Sequence, residues 1–252
     1  MNLLPVPKLL QWTPSLSQRY SCTQKILVTS GCSFTASSLQ LKTAASWPGY
    51  VIDRCGFDQG IDWSYAGAGN EYIGDSILHF FSTISDDKIN QYMAIIMWSG
   101  IDRIEKKIAS QEMPNLNGIV YQRLQDIAPI IKQEKINRAV TSATKMFEVF
   151  EYLTRRKILF AFTLYSNLLF PPYIPKRDTT FEFDEFLDKD NLKKLKSLPW
   201  IPSQPMDFLY EYAFVNNYIG EDGFHPPVEC NLAWTDNILL PCMQKQNLII
   251  AL

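Results

Sequence analysis

Two histidines stand in the 252 residues, His79 and His225. Chemistry that needs a base titrating near neutral pH therefore falls to one of them or to a carboxylate. His225 lies in Asp222-Gly223-Phe224-His225-Pro226-Pro227, where a carboxylate and an imidazole stand three residues apart. A Gly/Pro-rich loop of this kind places both side chains on one side, so that the aspartate orients the ring while Nε2 faces a nucleophile. Ser33 is the candidate nucleophile, in Ser30-Gly31-Cys32-Ser33-Phe34-Thr35. A serine on a turn from strand to helix presents its hydroxyl and its own N–H to one acyl group. The third feature is Gly67-Ala68-Gly69-Asn70, whose backbone N–H groups at a helix start suit a developing oxyanion. Each piece also has a plain structural reading: a tight turn, a capped turn beside a packed histidine, and close strand–helix packing with Asn70 as the helix cap. Ser33 and the DxxH together favour the chemical reading. His79 sits in the helical stretch Ser76 to Phe81 and is expected to be a packed or surface ring.

The elements that must position these residues follow from apolar patterning. Lys25 to Thr29 (KILVT), Tyr92 to Trp98 (YMAIIMW) and Lys157 to Tyr165 (KILFAFTLY) read as buried strands, with a weaker strand around Asp62 to Ala66. Asn70 opens a helix whose apolar residues Ile73, Ile77 and Phe80/Phe81 recur at helical spacing. Gly118 to Arg155 predicts two helices meeting near Ile131 to Asn137. Residues 170–205 hold six prolines and a charged segment, and read as an irregular insertion with one short amphipathic helix, of the sort that forms a lid or partner surface. Met206 to Tyr218 and Val228 to Leu240 close the chain as helices. Strands alternating with helices predict an α/β three-layer sandwich, in one domain over residues 1–252, around a mostly parallel sheet of about five strands. In such sheets ligands bind beyond the carboxyl ends of the strands, where all three features fall.

The order of these pieces resembles the SGNH/GDSL hydrolase family. Gly31-Cys32-Ser33 is similar to the block that carries the nucleophilic serine, and Asp222 to Pro226 is similar to the last block, which carries the other two triad members. Gly67 to Asn70 resembles the second block. Gly67 matches the glycine whose N–H serves the oxyanion hole, and Gly69 is the alternative register. The GCSFT form resembles divergent members, often phage- or marine-derived. The third block departs from the pattern: after YMAIIMW the chain reads Ser99-Gly100-Ile101-Asp102-Arg103, with Ile101 where the family has an asparagine that donates to the oxyanion. Isoleucine donates no hydrogen bond, and losing one such donor typically costs about 10²–10³ in rate. Either Asn70, Ser99 or a backbone N–H substitutes, or activity is weak or absent. Trp98, Ser99 and Arg103 follow the central strand and are candidates to line the site. The plain alternatives are core packing for Trp98 and a surface salt bridge to Asp102 or Glu105 for Arg103.

The resemblance implies a serine esterase or deacetylase with the triad Ser33, His225 and Asp222, acting on a small acyl ester, with O-acetyl groups on a carbohydrate as one candidate. It implies no organic cofactor and no metal. The rival is a catalytically weakened binding or assembly module on the same fold. With 24 Lys+Arg against 26 Asp+Glu there is no electrostatic case for nucleic acid. No apolar run approaches the roughly 20 residues that span a bilayer. The apolar pieces of the N-terminus are interrupted by Pro5 and Pro7, which makes a poor signal peptide. Five scattered cysteines, none at CxxC spacing, fit small core residues in a reducing cytoplasm, with Cys32 alone expected near the site. A phage-derived member would instead be virion-associated. The oligomeric state is left open.

Overall fold

The run Tyr92–Trp98 is buried from Met93 onward, because it is an inner strand with a parallel neighbour on each side. A strand so placed is covered on both faces and is apolar throughout rather than alternating. The computed structural model describes residues 8–10, 18–36, 46–65, 67–101, 103–109, 119–124, 132–171, 183–218, 220 and 225–252. Within these, the strands are β1 (Lys8–Leu10), β2 (Tyr20–Ser21), β3 (Ile26–Ser30), β4 (Gln59–Asp62), β5 (Tyr92–Trp98), β6 (Ile104–Ala109), β7 (Ile119–Leu124), β8 (Leu159–Leu164) and β9 (Ile250–Ala251). The α-helices are α1 (Trp47–Cys55), α2 (Asn70–Ser82), α3 (Lys132–Arg155), α4 (Lys189–Lys196), α5 (Leu209–Val215), α6 (Val228–Trp234) and α7 (Leu240–Lys245).

The main sheet has the order β1-β4-β3-β5-β8. Four strands run parallel and β1 pairs antiparallel with β4 at the edge. Helices α2 and α3 pack on one another and on β3, β5 and β8, whereas α1 packs on β4 and α6. Two helix groups thus flank the sheet in three layers. The α2–α3 crossing is close: a Cβ at Gly74 would lie 2.4 Å from Lys145 Cγ, and Lys145 Nζ donates to Asp75 Oδ1 at 2.7 Å. Among the described residues no helix is long and apolar enough to cross a membrane.

Two sequence expectations are corrected. The segment read as the first of two helices before Arg155 contains a strand, β7, paired antiparallel with β6, and the helical part is the single 24-residue α3. Ile119–Leu124 carries β-branched and aromatic residues, and the tertiary pairing with β6 decides a run whose spacing alone reads either way. The weak strand lies earlier, at Gln59–Asp62, because Asp62 ends it: the carboxylate accepts from Thr29 Oγ1 at 2.9 Å, Ser64 N at 3.0 Å and Ser64 Oγ at 2.7 Å. That is a side-chain turn that competes with strand continuation.

Residues 170–205, read as an insertion with one short amphipathic helix, are described in part. Residues 172–182 lie outside the described ones. The remainder is built into the fold: Phe183, Leu195, Trp200 and Ile201 are buried. Trp200 makes a parallel bridge to Phe162 that extends the sheet beyond β8. Its amphipathic helix, α4, is capped by the Asp188 carboxylate, which accepts from Asp190 N and Asn191 N. At the end of the chain, the predicted closing helix runs on through a π-helical turn, Thr235–Leu239, into α7.

Candidate active site

Ser33 is set by the way β3 ends. After Ser30 the chain turns at once: the N–H groups of Thr35 and Ala36 both donate to Cys32 O at 2.9 Å. The turn is possible because residue 31 is glycine. A Cβ there would lie 2.1 Å from Thr35 Oγ1, 2.7 Å from Thr35 Cβ and 3.1 Å from Met97 O, so no side chain fits. Cys32, Phe34 and Thr35 are buried, while Ser33 is half-buried at the strand's carboxyl end.

His225 reaches Ser33 from the other end of the sequence. Its Nε2 lies 2.8 Å from Ser33 Oγ across 192 positions. When Nε2 accepts the hydroxyl proton, the ring carries its own proton on Nδ1. Pro226 and Pro227 follow, and Pro227 caps α6 from an extended conformation. Asn231 Nδ2, one turn into α6, donates to Pro226 O at 3.3 Å and Pro227 O at 3.1 Å. The histidine is thus carried on a proline-stiffened lead pinned to the helix behind it. Phe34 packs against the imidazole with centroids 5.1 Å apart, and its ring also meets Tyr165 at 4.9 Å and Tyr210 at 6.5 Å. Tyr165 and Tyr210 are joined through the backbone, Tyr210 N donating to Tyr165 O at 2.9 Å. The loop after β8 is held by the wholly buried Glu211, which accepts from Ser166 Oγ at 2.7 Å and Asn167 N at 2.8 Å.

The glycine segment is fastened to both strand ends. Trp63 N donates to Thr29 O at 2.8 Å, Tyr65 N to Gly31 O at 3.0 Å and Ala68 N to Tyr65 O at 3.0 Å. Gly67 has φ +86°, a left-handed conformation that favours glycine. Gly69 caps α2 in an extended conformation, and Asn70 is the first helical residue. The Asn70 side chain does not cap its helix, as sequence reasoning expected. It reaches β5 instead: Nδ2 donates to Ser99 O at 2.9 Å, and Oδ1 accepts from Ser99 N at 2.8 Å.

No protein-family model and no curated protein matches the chain. Solved structures do. A member of the lipolytic protein G-D-S-L family from Veillonella parvula aligns at TM-score 0.50 and 10% identity, over 87% of this chain and 96% of that one. The psychrotrophic esterase EstA from Pseudoalteromonas sp., in a structure inhibited by monoethylphosphonate, aligns at TM-score 0.51 and 11% identity, over 89% and 99%. The chain has the fold of the G-D-S-L lipolytic proteins. At this identity the likeness speaks to the fold alone.

On that G-D-S-L fold, the residues singled out from the sequence distribute as follows. Ser33 and His225 meet directly, and Asn70 and Ser99 meet directly. Ala68, next to Gly67, is linked to the Ser33 turn through Tyr65 and Gly31. Asp222 lies outside the described residues. Ile101 is buried, and Trp98 is a core residue set edge-on to Phe162 at 5.4 Å. Ser99 is wholly buried, and its Oγ has no hydrogen-bond partner among the described residues. Arg103 is half-buried. His79 is half-buried in α2, edge-on to Trp63 at 6.0 Å, which fits its packed reading.

Cys32 is buried beside Ser33, and burial pushes the thiols of Cys22 up to about 11 and Cys230 to about 12, so neither of those two is a thiolate nucleophile at neutral pH. Tyr165, Tyr210 and Glu211 were missed as supports. Tyr165 was signalled by its place at the end of a predicted strand. Nothing local marks Tyr210 or Glu211, which join the site only when α5 folds back onto the end of β8.

Proposed function

We propose that this chain is a serine hydrolase of small acyl esters, working through an acyl-enzyme on Ser33. The 2.8 Å approach of His225 Nε2 to Ser33 Oγ at the carboxyl end of a parallel sheet carries this reading. Ser33 Oγ attacks the acyl carbonyl carbon while its proton passes to Nε2. The oxyanion that forms is held by the N–H groups of Ser33 and Gly67, with Gly69 the alternative. Collapse expels the alkoxide, which takes the proton back from His225, and leaves the acyl group on Ser33. Water then repeats the sequence: His225 takes its proton, its oxygen attacks the acyl carbon, and Ser33 Oγ leaves with the proton returned. Asp222 fills the orienting role at Nδ1 in this scheme.

Phe34, seated against the imidazole and Tyr165, makes the wall beside the nucleophile aromatic, which suits a short acyl chain better than a charged group. O-acetyl groups on a carbohydrate fit that description. Two neighbours of the fold, a G-D-S-L lipolytic protein and an esterase, point the same way. The GCSFT form resembles that of divergent members of that group.

Buried Ile101 favours a second reading, a weakened enzyme kept as a binding or assembly module. One experiment separates the two. A fluorophosphonate should label Ser33 under native conditions, and hydrolysis of acetyl and short-chain esters should vanish in both Ser33→Ala and His225→Ala. Absent labelling and absent turnover establish the second reading.

A further inference from the structure

We infer that Asn70 is a positioning residue: its carboxamide clamps the end of β5 to the start of α2 and so fixes the oxyanion loop relative to Ser33. The inference rests on the hydrolase reading above. The loop from Trp63 to Asn70 crosses the ends of β3 and β5, and its connections to the two strands differ in kind. To β3 it is tied by backbone bonds, Trp63 N to Thr29 O and Tyr65 N to Gly31 O. The Asn70 side chain ties it to β5, by the two bonds to Ser99 N and Ser99 O. Asn70 is 3% exposed and Ser99 is 0% exposed, so neither bond competes with water.

The chemistry of the clamp requires an amide. Ser99 lies just past the last paired residues of β5, where Trp98 matches Leu164, so its N–H and C=O are buried backbone groups that need partners. One side chain must donate to the carbonyl and accept from the N–H at the same time, which Asn does and Ala or a carboxylate does not. A residue at the third block, where Ile101 faces the core, cannot fix this corner with its side chain. Asn70 does so from the start of α2. Displacements of about 1 Å in a catalytic constellation can cost 10²-fold in rate, which sets the scale of what the clamp protects.

The test compares Asn70→Ala with Asn70→Asp, read as kcat/KM on a short-chain ester relative to wild type from pH 5 to 8, and as amide hydrogen exchange at Ser99. Dividing by wild type removes the common titration of His225. Asn70→Ala should lose roughly 10–100-fold at every pH, with faster exchange at Ser99. Asn70→Asp should lose about as much at pH 8, where a carboxylate oxygen faces the Ser99 carbonyl. It should regain most of that loss on acidification, as the protonated carboxyl donates again. Its Ser99 amide should stay protected, because the acceptor is kept. A plain loss of stability would not give an activity ratio that rises toward acid.

Asn70→Ala within twofold of wild type, or Asn70→Asp following Asn70→Ala at every pH, overturns the clamp while leaving the hydrolase reading intact. A wild-type protein without turnover or Ser33 labelling overturns both. If Asn70→Ala does not fold, the pH course and Ser99 protection of Asn70→Asp decide alone.

Discussion

At the carboxyl ends of β3 and β5, two adjacent strands, the fold uses its side chains in opposite ways. Beyond β3 the backbone is arranged to present a side chain: Gly31 allows a turn too tight for any Cβ, and Ser33 emerges half-buried against His225. Beyond β5 a side chain is arranged to hold the backbone: Asn70 takes both backbone polar groups of Ser99, while Ile101 and Trp98 are buried. On the proposed reading the first end presents the reacting atom and the second supplies rigidity. Ile101 is therefore compatible with the Ser33–His225 contact, which other residues make.

The largest expected effect tests the first end. Ser33→Ala and His225→Ala should each lower kcat by roughly 10⁴–10⁶, and the double variant should be little worse than either, since residues that act as a unit are not additive. Steady-state kinetics on the purified variants measures it; additive losses would break the pairing.

Next, Ile101→Asn sharpens the difference. If the second end were a donor site awaiting its asparagine, this change would raise activity. The burial of Ile101 predicts a loss of roughly 3–5 kcal/mol of stability, from lost apolar burial plus a poorly partnered amide, with no gain in rate per folded molecule. Urea unfolding and esterase assay on one preparation distinguish the two.

Gly31→Ala should cost about 1–3 kcal/mol, because Thr35 and the Met97 carbonyl must move to admit the methyl group. Activity should fall more than folding does, since the displaced turn carries Ser33.

The smallest effect concerns Asp207, whose backbone carbonyl accepts from Trp234 Nε1 in the helix behind His225. Burial raises its carboxyl pKa above the usual range. The folded state therefore holds the proton more tightly than the unfolded one. Below the unfolded pKa of about 3.9 both states are protonated and nothing is lost. As pH rises through the folded pKa, ionisation weakens the folded state. Asp207→Asn should raise Tm by no more than about 2 °C at pH 7 and leave it unchanged near pH 3, as read by thermal melts. An equal gain at both pH values would remove ionisation as the cause.

The buried strands were legible because their residues face the core on both sides, and KILVT, YMAIIMW and KILFAFTLY carry that signal without help from elsewhere. The segment before α3 was not: Ile119–Leu124 is a strand only because β6 lies beside it. The same division runs through the site. Ser33 and His225 stand out by local context, a serine after a strand and a histidine in a Gly/Pro loop. The Asn70–Ser99 contact joins residues 29 positions apart whose local patterns suggest a helix cap and a site-lining hydroxyl.

What the sequence determined by itself was thus the three buried parallel strands, the serine after β3 and the histidine before α6, because those depend on neighbours within a few positions. Tertiary structure decided which of the remaining polar groups face the site and which hold it up. An asparagine amide satisfies whichever unpaired backbone group the packed sheet brings within reach, and only the completed sheet places Ser99 there.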